Sequence, residues 1–385
     1  MSQEASFEAN DGGGFEPDRE PSRGLPIVPA QAAGRGTLAG TKPRASVAKP
    51  LRYFYIVAMS HELRDKPIAR TLFGMPLVIF RGANGEPGAL LDRCAHRNVP
   101  LSPGAVKGGR LECPYHGWQF DTDGVCRFVP SLCGESEGKA RRAPSFATRE
   151  QQGFIWVYAT PNEEPACEPH RFEKDGAKGY TTVKRMVEAN GTMHAALENA
   201  LDVPHTAFLH KGLFRSESRG ITITAKVRRS ADRVVTEYLG EPRPPGIVAR
   251  ILSPSGGMVT HFDRFILPSV AQVEYRIGTE SHFLVDSVMT PVDDFVTRIF
   301  AVVTFKLRGL PGWLVKPFLS PLAMRVFRQD ARILQMQTDV IHRFGGEQFV
   351  STELDVMGRH IWRLLKAAER GDAAGDDASE VKLLV

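Results

Sequence analysis

Two pairs of metal-ligating residues lie close together in the first third of the sequence. Cys94-x-His96 is followed, after sixteen residues, by Cys113-x-x-His116. Thiolates and imidazoles bind soft and borderline metal ions, so these residue types at this spacing indicate a metal site. Each pair combines one cysteine with one histidine. Structural zinc sites usually group their cysteines on one element and their histidines on another, which makes zinc the weaker interpretation.

The residues around these pairs favour an iron–sulfur cluster. In a [2Fe–2S] cluster of the Rieske type, two cysteines bind one iron and two histidines bind the other. Two loops that each supply one Cys and one His deliver that arrangement. Gly108, Gly109 and Gly117 let the backbone approach the cluster, and Tyr115 and Trp118 can shield it. The remaining alternative is a chance occurrence of a buried thiol beside surface histidines.

A second group of candidate ligands lies in ENALDVPHTAFLH, residues 198–210. His205 and His210 are five positions apart, which separates them by about 140° on a regular helix. Pro204 interrupts the helix, so a kinked segment can bring both imidazoles to one point. Asp202 precedes His205 by three positions and can orient its imidazole. Taken without the upstream motif, the two histidines are ordinary surface or core residues.

Two histidines and one carboxylate, with open positions, form the facial triad of non-haem Fe(II) oxygenases. The helical pattern over 321–344 places Asp330 in an otherwise largely apolar stripe. A buried carboxylate is costly unless it is paired or bound to a metal. Asp330 is therefore the candidate third ligand, with a salt bridge to a nearby arginine as the alternative. Asp339 falls on the polar side and is the weaker candidate.

Together these motifs resemble the Rieske-type non-haem iron ring-hydroxylating oxygenases (α-subunit), over about residues 50–345. The pattern is C-x-H-x16-C-x-x-H, then N-x-x-D-x-x-H-x4-H, then a distal aspartate. Asn199, Asp202, His205 and His210 match the second motif residue by residue, and Asp330 matches the distal carboxylate. The chain is most similar to the compact branch with O- and N-demethylases and pheophorbide-oxygenase-like enzymes.

The resemblance implies a terminal oxygenase that uses O2 to hydroxylate or oxidatively demethylate a largely apolar small molecule. It implies a Rieske cluster on Cys94, His96, Cys113 and His116, and a mononuclear Fe(II). NAD(P)H acts through a separate reductase, with or without a ferredoxin. It also implies a homotrimer in which Asp202 bridges the cluster of one chain and the iron of the next, with Asn199 as a further catalytic residue. The alternative is an electron-transfer protein without oxygenase activity, which the intact iron-ligand set argues against.

Other residues near the motifs have weaker assignments. Phe208 lies between the two histidines and is a candidate pocket residue. His261 and His282 lie in predicted strands and either orient a polar substrate or serve the fold. Basic residues around the cluster loops either steer an acidic electron donor or form an ordinary solvated face: Arg93, Arg97, Lys107, Arg110 and Arg127.

The pattern along the chain predicts an α+β protein. We expect a disordered arm (1–48), an all-β Rieske domain (49–162), an α+β catalytic domain (163–366) and a disordered tail (367–385). The first domain has predicted strands at 71–82, 89–94 and 153–160. The second has helices at 193–202 and 321–344 that flank a long antiparallel sheet within 220–308, where apolar and polar residues alternate.

The composition limits the classes of function and the cellular environment that fit this chain. The chain has 385 residues, 42% of them hydrophobic, and a net charge of only +5, which does not suggest nucleic-acid binding. Five cysteines are too few for a disulfide framework, so we expect a reducing, cytoplasmic environment with free thiols, a Cys126–Cys133 pair being a minor alternative. The start of the sequence lacks the apolar segment of a signal peptide. Lys316 and three prolines interrupt the most apolar stretch (310–327), so we expect no membrane association.

Overall fold

The computed structural model describes residues 45–210, 221–241, 258–278, 281–307 and 311–384. Most of the predicted disordered arm, residues 1–44, lies outside the described residues. Residues 45–48, the last four of the predicted arm, are ordered, so the predicted boundary at 48 is wrong. The backbone N–H and hydroxyl of Ser46 both donate to the Glu347 carboxylate at 2.6 Å, and Ala48 is buried.

The first region is all β, as predicted. Three antiparallel sheets have the strand orders β1-β11-β10, β2-β3-β4-β9 and β5-β6-β7-β8. The strands are β1 (Phe54–Met59), β2 (Ile68–Leu72), β3 (Met75–Arg81), β4 (Pro87–Leu91), β5 (Ala105–Lys107), β6 (Arg110–Glu112), β7 (Gln119–Phe120), β8 (Cys126–Phe128), β9 (Ser145–Phe146), β10 (Thr148–Gln151) and β11 (Phe154–Tyr158).

One predicted strand of this region is wrong. The stretch 71–82 contains a hairpin, because the chain reverses at Phe73 and Gly74, whose φ angles are 51° and 77°. Tight hairpin turns require such positive φ values, and glycine adopts them without strain. The apolar run continues through the turn, so hydrophobicity alone gave no sign of the reversal. The predicted strand at 89–94 ends earlier, at Leu91, which leaves Cys94 on a loop.

The second region is built on one eight-stranded antiparallel sheet with the order β12-β18-β17-β16-β15-β14-β13-β19. Four helices of the described residues accompany it, which confirms the α+β class. Its strands are β12 (Thr181–Asn190), β13 (Thr222–Arg229), β14 (Arg233–Leu239), β15 (Val259–Ile266), β16 (Val270–Ile277), β17 (Ser281–Pro291), β18 (Val296–Leu307) and β19 (Asp377–Leu384). Its helices are α1 (Met193–Ala200), α2 (His205–Leu209), α3 (Gly312–Phe344) and α4 (Gly358–Arg370).

The prediction of a disordered tail (367–385) is wrong. Helix α4 continues to Arg370, and β19 pairs with β13 from Arg229↔Asp377 to Thr222↔Leu384. The strand has one buried side, on which Leu383 is 1% exposed, whereas Leu384 is 67% exposed. The acidic, Ala- and Gly-rich composition hid this strand, because its pairing partner lies far away in the sequence.

One continuous apolar core joins the two regions. It runs from Leu77 of the first region through Leu197 of α1 to Val234 of the large sheet and Leu364 of α4. Helix α1 is therefore enclosed between the sheet and α4. None of the helices in the described ranges combines the length and apolar character needed to cross a bilayer.

Candidate metal centres

The four residues of the first motif lie on two loops. Cys94 and His96 follow β4, and Cys113 and His116 follow β6. Each loop is closed by its own backbone: the Cys94 N–H donates to the Val99 carbonyl, and the Cys113 N–H to the Trp118 carbonyl, both at 2.8 Å. Both thiols are buried. Burial, together with the neighbouring Cys113 thiol, raises the pKa of Cys94 to about 11.

The two imidazoles of this motif also lie side by side. The ring centroids of His96 and His116 are 4.6 Å apart, and Trp118 stacks on His96 at 4.7 Å with an interplanar angle of 3°. Nδ1 of His96 is buried and has no hydrogen-bond partner among the described residues. Two adjacent thiols and two adjacent imidazoles, one of them with an unpartnered nitrogen, fit the donor set of a Rieske cluster.

The second motif is positioned by a break between two helices. Thr192 caps α1, its hydroxyl accepting the Ala195 N–H at 3.1 Å, and α1 ends at Ala200. Pro204 then begins the single turn of α2. This restart turns the chain, so that Nε2 of His205 and Nε2 of His210 lie 3.3 Å apart. A continuous helix would have placed them on different faces.

Helix α3 brings Asp330 to the same point. Its Oδ1 lies 3.1 Å from Nε2 of His210 and 3.7 Å from Nε2 of His205. One ligand atom from each of the three residues lies within 4.8 Å of the others. His210 is only 2% exposed and the Asp330 side chain 14%, so this group is largely screened from solvent.

The neighbours of the imidazoles decide which nitrogen faces inward. Nδ1 of His205 is bonded to the backbone carbonyl of Asp202, and Nδ1 of His210 lies 3.0 Å from Oε1 of Gln329. Both partners accept hydrogen bonds, so each Nδ1 carries the proton and each Nε2 directs a lone pair toward Asp330. Oδ1 of Asp330 is buried and lacks a hydrogen bond in the described part of the chain. Three converging lone pairs fit a bound divalent cation.

Asp202 lies at the edge of this group. Its Oδ2 is 3.6 Å from Nδ1 of His205, and its side chain is 39% exposed. Burial, only partly offset by His205, raises its pKa. Asn199, one turn earlier, contacts Asp202 through its backbone carbonyl, which accepts the Asp202 N–H at 3.4 Å.

Two neighbouring residues were missed by sequence reasoning. Gln329 orients His210, and its position directly before Asp330 was the available signal. Glu198 lies directly before Asn199, and its pKa is raised to about 7 by burial and by the nearby carboxylates of Asp355, Glu347 and Asp202.

The prediction that Phe208 lines an apolar pocket is wrong for the isolated chain. This side chain is 83% exposed, because α2 turns its two histidines inward and leaves Phe208 outside. His282 serves the fold: its Nε2 lies 2.9 Å from Glu274, and its Nδ1 lies 2.7 Å from the Tyr180 hydroxyl.

The basic residues around the cluster loops are partly neutralised. Arg127 pairs with Asp121 and Glu137, and Lys107 pairs with Glu112 at 2.7 Å. Arg97 and Arg110 are exposed. All five cysteines are free thiols, so the alternative Cys126–Cys133 pair does not form.

Comparison with known families agrees with this geometry. Residues 53–139 match the Rieske [2Fe-2S] domain, and residues 190–371 match the vanillate O-demethylase oxygenase C-terminal domain. The chain therefore combines a Rieske [2Fe-2S] domain with the C-terminal domain of a non-haem iron oxygenase. The two matched segments contain the first and second groups of candidate ligands, respectively.

The similar proteins include oxygenases that are named for different substrates. The chain is 35% identical to chlorophyllide a oxygenase of Arabidopsis thaliana over 164 residues, which is 42% of this chain and 29% of that protein. It is 32% identical to the oxygenase component of dicamba O-demethylase of Stenotrophomonas maltophilia over 161 residues, 41% of this chain and 47% of that protein. The matched part therefore spans less than half of these relatives.

Among solved structures, dicamba monooxygenase bound to 3,6 dichlorosalicylic acid has the same fold. The TM-score is 0.72 at 20% sequence identity, and the match covers 84% of this chain and 98% of that one. The architecture of β sheets followed by a large antiparallel sheet with helices is thus common to both proteins.

Proposed function

We propose that this chain is a terminal oxygenase that hydroxylates or oxidatively demethylates a largely apolar aromatic or alicyclic small molecule. The observation that carries the proposal is the convergence of His205, His210 and Asp330 in a chain that also contains a Rieske domain. An electron-transfer protein without oxygenase activity would have no use for three converging ligands that are largely screened from solvent. The names of relatives such as dicamba O-demethylase support demethylation as the reaction.

Cys94, His96, Cys113 and His116 would hold the [2Fe–2S] cluster, and His205, His210 and Asp330 the mononuclear Fe(II). When bound, the cluster supplies single electrons and the iron supplies O2 activation for insertion of oxygen into the substrate.

The side chains of this protein hold those groups in position. The Asp202 carbonyl and Gln329 keep each Nδ1 protonated, which leaves each Nε2 free to bind metal. The burial of His210 and Asp330 keeps bulk water away from the reacting atoms.

A homotrimer would place the two centres of neighbouring chains next to each other. The cluster loops reach the surface at His116 and at Tyr115, which is 61% exposed. The Asp202 side chain is partly exposed, at 39%, and the nearby outer side of α3 carries exposed Ile333, Met336 and Val340. These features support contact between the cluster loops of one chain and the α2–α3 edge of the next, with Asp202 as the bridge.

Electrons would come from a separate NAD(P)H-dependent reductase, with or without a ferredoxin, in the cytoplasm. The exposed Arg97 and Arg110 beside the cluster suit an acidic donor, because opposite charges steer association.

Iron and acid-labile sulfide per chain, measured on anaerobically purified protein, test the proposal. We expect about three irons and two sulfides, with a Rieske-type EPR signal after dithionite reduction. A content of about two irons and two sulfides, unchanged after Fe(II) reconstitution, would favour an electron carrier. Zinc without sulfide would overturn both metal assignments.

A further inference from the structure

Three aromatic rings are stacked across neighbouring strands of the large sheet. Tyr238 of β14, His261 of β15 and Tyr275 of β16 are directly opposite one another in register. The His261 ring lies 4.5 Å from Tyr238 and 4.0 Å from Tyr275, with interplanar angles of 24° and 18°. Tyr238 and His261 are each 1% exposed, so this stack belongs to the interior.

The stack lies on the side of the sheet that packs against the candidate iron site. Strand β16 contacts α1, and Tyr238 shares one apolar core with Leu201 and Val203, which lead into His205. Tyr238 and Asp263 are also close enough to Asp202 to interact with it electrostatically. The polar groups of the stack therefore lie between the sheet and the helices that carry the iron ligands.

His261 cannot itself offer a donor to a substrate. Its Nδ1 lies 2.7 Å from Oε2 of Glu241, and its Nε2 lies 2.9 Å from Oδ1 of Asp263. These carboxylates, although burial opposes them, raise the pKa of His261 to about 9. Both N–H groups are thus engaged, and the ring is fixed against Tyr238.

The Tyr238 hydroxyl is a buried polar group on this side that makes no geometric hydrogen bond among the described residues, and the same holds for Oγ1 of Thr236, two residues earlier on the same strand face. The Asp263 carboxylate lies near the Tyr238 hydroxyl, but its Oδ1 is engaged by Nε2 of His261. A buried polar group without a partner destabilises the folded state. A bound ligand that accepts a hydrogen bond from the hydroxyl would remove this destabilisation, which explains why the chain keeps a buried hydroxyl here.

We propose that the Tyr238 hydroxyl recognises the substrate, donating a hydrogen bond to an oxygen or nitrogen acceptor on a neutral aromatic molecule. This inference rests on the proposed oxygenase function and adds the substrate class. A carboxylate suits the position poorly, because Asp263 and Asp202 are nearby and like charges repel. The Glu241–His261–Asp263 line holds the tyrosine ring and therefore positions the hydroxyl.

Tyr238→Phe tests this assignment, because it removes the hydroxyl and keeps the ring. The matched control is Tyr158→Phe, since Tyr158 is 0% exposed and its hydroxyl also lacks a partner, but it lies in the first region. Binding is measured by calorimetry on the full-length protein with its metal centres in place, under anaerobic conditions and without reductant, so that no turnover occurs. The probes are para-methoxyacetophenone, its hydrocarbon match para-ethylanisole, and the anion para-methoxybenzoate.

We expect the wild-type chain to bind the ketone more tightly than either other probe. Tyr238→Phe should weaken ketone binding about threefold to tenfold, the effect of one neutral hydrogen bond, and leave ethylanisole binding unchanged. Its Tm should stay equal or rise. Tyr158→Phe should change neither affinity.

Three outcomes would overturn the inference. One is a wild-type chain that does not prefer the ketone. Another is unchanged ketone affinity in Tyr238→Phe. The third is a lower Tm with equal weakening of both neutral probes, which would mean that the hydroxyl serves packing against Asp263. Iron and sulfide content does not depend on Tyr238, so failure of this inference and failure of the oxygenase proposal are distinguishable.

Discussion

The two candidate metal centres are assembled in opposite ways. The cluster ligands all come from residues 94–116, on two loops whose shape is set by short strands and by backbone hydrogen bonds within each loop. The iron ligands come from two distant segments, one with His205 and His210 and the other with Asp330. Gln329, directly before Asp330, is 119 positions away from His210, its hydrogen-bond partner. The first centre thus depends on local turn geometry, and the second on how α3 packs against the chain around α1.

That packing is close. Gly191, just before α1, faces α3, and a Cβ atom built on it would lie 3.2 Å from Cβ of Leu334. Leu334 is 2% exposed and lies one turn after Asp330. The position of the distal carboxylate is therefore fixed by core packing, which tolerates little change in volume.

The centres also differ in exposure. Tyr115 beside the cluster is 61% exposed, whereas His210 is 2% exposed. A cluster site with an exposed edge at His116 suits the receipt of electrons from a partner, and a triad that is largely screened from solvent suits chemistry that excludes water.

Loss of one cluster ligand should produce the largest effect and leave the other centre intact. In Cys113→Ser we expect acid-labile sulfide to fall from about two per chain to near zero, with no turnover. Mononuclear iron should remain, because its ligands lie elsewhere. Cys126→Ser is the control, since Cys126 is a buried thiol of the same core. An equal loss of sulfide in that control would remove the support for Cys113 as a ligand.

The reciprocal change is Asp330→Ala. We expect complete loss of turnover and of mononuclear iron, because a three-residue site without its carboxylate binds Fe(II) weakly. The reduced cluster should keep its EPR signal. Asp339→Ala, on the polar side of the same helix and bonded to Gln335, should keep all iron. Retention of iron in Asp330→Ala would show that the third ligand lies elsewhere.

Asp202→Asn tests the link between the two centres. We expect both to remain loaded and turnover to fall about a hundredfold, since the carboxylate beside His205 is lost. Stopped-flow reoxidation of the reduced cluster by O2 in the presence of iron measures the link. Asp232→Asn, on an exposed turn of the sheet, is the control. Reoxidation at the wild-type rate in Asp202→Asn would show that Asp202 does not link the two centres.

Gln329→Leu removes the acceptor that orients His210. We expect iron affinity to fall about tenfold to a hundredfold, because the imidazole loses its fixed tautomer. Competition with a chelator gives the dissociation constant. Gln335→Leu, which breaks contacts with Asn190 and Asp339 on the same helix, should leave that constant unchanged. Equal effects in both variants would point to general damage to α3.

The smallest effect on the metal centres is expected in the tail. Leu383→Ala should lower the free energy of unfolding by about 2–5 kcal/mol, because it opens a cavity in the core, while both centres stay loaded. Leu384→Ala, at an exposed position of the same strand, should change it by less than about 0.5 kcal/mol. Urea unfolding measures both. Equal small values would mean that β19 contributes little to the sheet.

The two regions were not equally predictable from sequence. The all-β character of the first and the α+β character of the second followed from apolar periodicity. The hairpin at Phe73–Gly74 and the strand Asp377–Leu384 did not, because a turn can interrupt an apolar run and a strand with a distant partner carries a weak local signal. The exposure of Phe208 also depends on the direction in which a single helical turn faces.

By itself, the sequence determined the identity of the candidate ligands, because Cys, His and Asp at these spacings have few other uses in combination. It also determined the break before His205, since proline limits the helix. Only the tertiary structure decided that α3 delivers Asp330 to the two imidazoles, that Gln329 orients one of them, and that a buried Tyr238 hydroxyl lies on the sheet face behind the site. These depend on packing between segments far apart in the chain, and local residue patterns do not encode such distances.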